Sequence, residues 1–91
     1  MNYEIIRTAQ FRKDYKQMIK RGKDDQKLEV VLKVLASGGQ LPPEKHDHAL
    51  SGKYAGFREC HVEPDWLLIY CIMHNQLVLV CARTGTHSDL F

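Results

Sequence analysis

The chain has 91 residues, 44% of them apolar, with 13 basic against 11 acidic side chains and a net charge of +2. A chain of this length holds one core, read here as a single domain over residues 1–91, and buries only about 60–65% of the surface its unfolded form exposes. No stretch approaches the roughly 20 apolar residues that span a bilayer. Met1-Asn2-Tyr3-Glu4 lacks the features of a secretory signal, so a cytoplasmic protein is expected.

Asn2 to Arg7 alternates weakly and reads as a first strand. Phe11, Tyr15, Met18 and Ile19 then fall on one stripe of a helix, with Thr8 as N-cap and Gly22 as terminator. A second helix starts at Asp24 or Asp25, carries Leu28, Val31, Leu32 and Leu35 on its apolar stripe, and stops at Ser37-Gly38-Gly39. The two helices form a hairpin that leaves the basic side chains of the first pointing outward. Residues 38–53 read as a long loop, centred on Lys45-His46-Asp47-His48 and marked by glycines and prolines.

Three strands follow in meander order: Phe57 to Val62, Trp66 to Ile72 and Leu77 to Ala82. Glu63-Pro64-Asp65 and His74-Asn75-Gln76 make the turns between them. The middle strand is almost continuously apolar, as a strand covered on both faces must be. Thr86-His87-Ser88-Asp89 resembles a capping box, so one helical turn closes the chain. The expected fold is α+β, ordered β-α-α-β-β-β with a short final turn, its antiparallel-rich sheet packed on one face by a two-helix hairpin.

Cys60, Cys71 and Cys81 lie in apolar stretches without a C-x-x-C pair and read as reduced core residues. Charge is unevenly placed. Residues 7–23 hold Arg7, Arg12, Lys13, Lys16, Lys20, Arg21 and Lys23 against the single acid Asp14. Such an asymmetry fits a polyanion-binding surface, with a solvated helix face as the plain alternative.

Chemistry gathers in the second half. A meander puts His61 and Asp65 at one hairpin end. An antiparallel last strand returns Arg83 there, and His87 follows four residues later. The expected cluster is His61, Asp65, Arg83 and His87 at one sheet edge, within reach of the His48 loop. Two imidazoles can take a proton from a ribose 2′-OH and give one to a leaving 5′-oxygen near neutral pH. Arg83 would balance the phosphorane, and Asp65 would orient a histidine or raise its pKa. Trp66 or Phe91 could stack on a splayed base, and each has a plain reading as a core residue. His46 and His74 receive no role. The histidine spacing matches no short-range zinc pattern, and neither a metal nor another cofactor is expected.

His61-Val62-Glu63-Pro64-Asp65-Trp66-Leu67-Leu68-Ile69-Tyr70, Arg83-Thr84-Gly85-Thr86-His87-Ser88-Asp89-Leu90-Phe91 and the segment Asp47-His48-Ala49-Leu50-Ser51-Gly52 resemble the YafQ-like branch of the RelE/ParE toxin superfamily. The similarity covers essentially the whole chain. It implies the toxin half of a type II toxin–antitoxin pair: a metal-independent endoribonuclease that cuts mRNA on the ribosome. It also implies a cognate protein antitoxin through which the complex binds operator DNA. His48, His61, Asp65, Arg83, His87 and Phe91 match residues implicated in catalysis or substrate contact, and Trp66 matches an aromatic beside the site. Lys13, Lys16 and Lys20 on the first helix would face ribosomal RNA. Ala49 departs from the family's pattern, standing where relatives have proline. A gyrase poison of related fold and a non-catalytic RNA- or antitoxin-binding module are the alternatives. Neither needs clustered histidines.

Overall fold

A computed structural model describes residues 2–91. Strand β1 (Glu4–Arg7) leads through Thr8 into helix α1 (Ala9–Lys20), followed by α2 (Asp25–Ala36). The Thr8 hydroxyl accepts from Phe11 N–H at 3.0 Å, and Asp24 caps α2 in the same way through Gln26 N–H at 2.9 Å. Gly22 ends α1 with φ +88°, and Lys23 N–H donates to the Met18 carbonyl across it.

The stretch read as loop carries structure of its own. Pro43–Lys45 and Gly52–Tyr54 form 3₁₀ turns, and His48–Ala49 is a two-residue strand, β2. Strands β3 (Arg58–Glu63), β4 (Trp66–Met73) and β5 (Val78–Gly85) complete the sheet, and α3 (His87–Leu90) closes the chain. The order across the sheet is β1-β5-β4-β3-β2, with β1 parallel to β5 and every other pairing antiparallel. Leu77 belongs to the turn, at φ +54°, and not to the last strand.

That last strand runs three residues beyond the expected Ala82, so Arg83 lies inside it. The reason is a bulge: Cys81 faces Tyr70 and Arg83 faces Ile69, leaving Ala82 without an opposite number. Pairing resumes after the extra residue and continues to Gly85.

Trp66 to Tyr70 are buried without a break, because β4 is covered on both sides. On one side Trp66, Leu68 and Tyr70 pack with Cys60, Leu79 and Cys81 against Phe11, Met18, Leu28 and Leu32 of the two helices. On the other, Leu67 and Ile69 meet Leu90 of α3 together with Leu50, Tyr54 and Phe57 from the loop. Burial pushes the Cys60 thiol up to about 12 and that of Cys81 to about 11, which keeps both inert.

Beyond Arg7, β5 has no strand on its outer side, and α1 runs there instead. Thr8 donates its hydroxyl to the Ala82 carbonyl at 2.9 Å. Asp14 accepts from Thr84 N–H at 3.2 Å. Among the described residues no helix is long and apolar enough to cross a membrane.

Candidate active site

Strand alternation decides which side chains meet. Cys60 and Val62 of β3 enter the helix-covered core, so Glu59 and His61 between them face the opposite way. The site is therefore on the second face of the sheet, roofed by the loop and α3, rather than at its edge.

His61 Nδ1 lies 3.2 Å from the Pro64 carbonyl, which accepts its proton and leaves Nε2 for chemistry. His87 Nδ1 donates to Asp65 Oδ1 at 2.6 Å, and the His87 backbone N–H donates to the same oxygen at 3.0 Å. Those two bonds, the backbone one first, hold the Asp65 carboxyl below its usual range. The His61 and His87 rings meet edge to face with centroids 5.6 Å apart. His48 is held similarly: its Nδ1 donates to the His46 carbonyl at 2.7 Å.

Glu59 went unnoticed in the sequence. Its buried carboxylate lies 3.6 Å from His48 Nε2 and 3.8 Å from His61 Nε2, between the two rings. A proton arriving on either ring thus meets a fixed negative charge. The signal was its place at the i−2 position from His61 on one strand, which puts both on the same face.

Arg83 has a partner that its spacing did not reveal. Its Nε and Nη2 donate to the two oxygens of Asp14 at 2.8 and 3.1 Å. This bidentate pair, with Tyr54 alongside, raises the guanidinium further above its already high value. Asp14 was visible as the lone acid of a basic segment. Only the fold shows that it belongs to Arg83.

Phe91 is 64% exposed, and its ring meets Tyr54 edge-on at 6.0 Å. It remains accessible for stacking. Trp66 does not. Its ring is fully buried on the helix face, and Nε1–H donates to Thr84 Oγ1 at 2.9 Å, so its reading as a substrate contact is corrected to core. Lys13, Lys16 and Lys20 are exposed on α1 and take no part in the hydrogen bonds of the imidazole cluster.

The α3 turn is fixed from three sides. Thr86 and Asp89 form the expected capping box. Arg21 donates to both oxygens of Asp89 at 2.6 and 3.1 Å and holds that carboxyl far below its ordinary range. At Gly85, a Cβ would come within 2.9 Å of Asp89 Cβ, so only glycine lets α3 fold this closely over the sheet.

A family model described as the bacterial toxin of type II toxin–antitoxin systems, YafQ, matches residues 3–91. The chain belongs to the YafQ toxin family. The mRNA interferase toxin YafQ of Escherichia coli K12 is 42% identical over 89 residues, covering 97% of this chain and 95% of the relative. YafQ in the crystal structure of the E. coli DinJ–YafQ toxin–antitoxin complex superposes with a TM-score of 0.88 at 40% identity, over 100% of this chain and 99% of that one. A metal-bound toxin from Helicobacter pylori superposes with a TM-score of 0.92 at 41% identity over the whole of both chains. Among the described residues of this YafQ-family chain, no three His, Cys, Asp or Glu side chains converge as ligands of one metal ion.

Proposed function

We propose that this chain cuts mRNA by transesterification, His61 and His87 sharing the roles of general base and general acid. The toxin and mRNA-interferase assignment follows from membership of the YafQ family and the 42% identity to the E. coli enzyme. The partner is a cognate protein antitoxin, as DinJ is for E. coli YafQ. Ribosome-bound mRNA would be the substrate and the cytoplasm the compartment, and the complex would reach operator DNA through its antitoxin.

The observation that carries the mechanism is the pair of rings 5.6 Å apart, each with Nδ1 committed to an acceptor and Nε2 left to exchange protons. One Nε2 removes the 2′-OH proton, and the resulting alkoxide attacks phosphorus. The other protonates the departing 5′-oxygen, which leaves a 2′,3′-cyclic phosphate. Glu59 balances an imidazolium at His61 or His48, and Asp65 does so at His87. Asp14 occupies two of the five N–H groups of Arg83, leaving Nη1 and one Nη2 hydrogen for the phosphorane. Phe91 offers its open ring to a splayed base.

The test is cleavage of mRNA on ribosomes by the purified protein beside His87→Ala. Cyclic phosphate ends from the wild type, and their loss in the variant, are expected. Growth arrest that persists in cells expressing His87→Ala would overturn the enzyme reading and revive the gyrase poison or the binding module.

A further inference from the structure

The imidazole pair does not account for His46. Its φ of +49° is left-handed, a conformation that costs a residue bearing a side chain and persists where the surroundings impose it. Here both neighbours are anchored. Lys45 Nζ donates to the Val62 carbonyl at 3.2 Å. Asp47 accepts from the Tyr70 hydroxyl at 2.7 Å and from Arg58 Nε at 3.1 Å. The imposed turn sends two parts of His46 to two tasks. Its carbonyl fixes His48, and its ring packs against that of His61 with centroids 5.2 Å apart.

A cleft of about 620 Å³ opens at the same place, between α2, the Pro43–Lys45 turn and the β3–β4 turn. His46 and His61 line it, and His87 does not. Its size is that of a pocket for a small organic ligand. Val30 and Pro64 supply apolar wall, while Lys45 supplies positive charge and Lys27 lies beside it. Glu63 on the wall is neutralised, one oxygen bonded to Lys23 at 3.0 Å and the other to Lys27 at 2.7 Å. Glu44 is the other carboxylate on the lining.

We propose that this cleft is the subsite for the nucleotide adjoining the scissile phosphate, with its base against the His46 ring and its phosphate toward Lys45 and Lys27. The inference rests on the ribonuclease reading of the imidazole pair. His61 belongs to both places, so a strand cut beside it must continue past its ring, and the cleft begins there. A nucleotide joins a flat apolar base to a phosphate anion. The cleft joins an imidazole and apolar wall to the Lys45 ammonium, with Lys27 shared with Glu63, and a stacking face beside a cation is what single-stranded RNA sites use.

The experiment uses the full chain and oligoribonucleotides with 2′-deoxyribose at the cut position, which lack the nucleophile. A dinucleotide core is compared with cores lengthened by one nucleotide in either direction. Kd is measured for the wild type, for Lys45→Gln and for His46→Asn, the last because asparagine tolerates the left-handed turn and keeps the carbonyl on His48. One of the two extensions should tighten wild-type binding about tenfold and move the ring resonances of His46. His46→Asn should lose that gain, and Lys45→Gln should lose part of it. Equal gains in all three proteins would overturn the proposal. So would wild-type titrations that move His87 resonances and leave His46 unmoved. Wild-type protein that fails to cut ribosome-bound mRNA would remove the ribonuclease reading and the subsite together. Cleavage without a His46-dependent gain would remove the subsite alone.

Discussion

On the helix-covered face of the sheet, Trp66, Leu68 and Tyr70 are shut in among Phe11, Met18 and Leu32, and the few polar atoms have fixed partners. On the opposite face a small apolar group around Leu67, Ile69 and Leu90 supports His48, Glu59, His61 and Arg83, with His87 on the turn above. The same strands serve both. Alternation along β3 gives Cys60 and Val62 to the core while Glu59 and His61 face the site, so stability and chemistry are separated by one residue of register. The helix face resists substitution because it is closely packed. The site face tolerates exposure because its groups must meet a substrate.

The largest expected effect that divides the two faces is His87→Ala. Its side chain is 54% exposed, so unfolding free energy should change by no more than about 0.5 kcal/mol, while cleavage falls about 10²–10⁴-fold. Thermal unfolding beside an mRNA-cleavage assay checks both, and a large stability loss would break the division. Trp66→Phe is the converse. Losing the bond to Thr84 and part of the ring should cost about 1–3 kcal/mol in denaturant unfolding. Cleavage per folded molecule should not change. Slower cleavage at undiminished stability would return Trp66 to the substrate.

Asp14 crosses the division, since it both covers the β5 edge and holds Arg83. Asp14→Asn should lower kcat about tenfold and cost about 1–3 kcal/mol of stability. In a double-mutant cycle with Arg83→Ala, the pair should cut no more slowly than Arg83→Ala alone. Additive losses in kcat would show that Asp14 acts elsewhere.

The smallest effect concerns pH. Lys27 and then Lys23 lower the Glu63 carboxyl, the His87 backbone N–H and ring lower Asp65, and Arg21 lowers Asp89. Carboxylates with depressed folded values stabilise the fold above the ordinary value of about 4, and the stabilisation is lost as pH falls through the folded values. Melting temperature should therefore drop on acidification below about pH 4, and Asp89→Asn should flatten the drop.

Much of this was legible because it is local. Thr8 as cap, Gly22 as terminator, a helix start at Asp24 or Asp25 and the Thr86–Asp89 box are short-range patterns; the structure bears them out and settles the second start on Asp24 as N-cap. The meander also brought His61, Asp65 and His87 together, since a hairpin fixes which strand ends meet. What escaped depends on distant pairing. The parallel match of β1 with β5 joins residues more than 70 positions apart. Strand β2 has two residues, defined only by facing Arg58 and Glu59. The bulge at Ala82 that carries Arg83 into β5 has no glycine to announce it. Trp66 has the same neighbours in sequence whether it stacks on a base or fills the core; only the face of β4 decides.

The covering of β5 by α1 has a consequence for colloidal behaviour. Past Cys81 the strand would present bare N–H and C=O groups, the template on which a foreign chain adds. Thr8 and Asp14 occupy those groups, the edge strands β1 and β2 have only four and two residues, and on the part of β3 that β2 leaves uncovered Lys45 takes the Val62 carbonyl. A second copy therefore finds little edge to extend into a fibril. A toxin working apart from its antitoxin is in this way protected from clumping by the helix whose aspartate also holds Arg83.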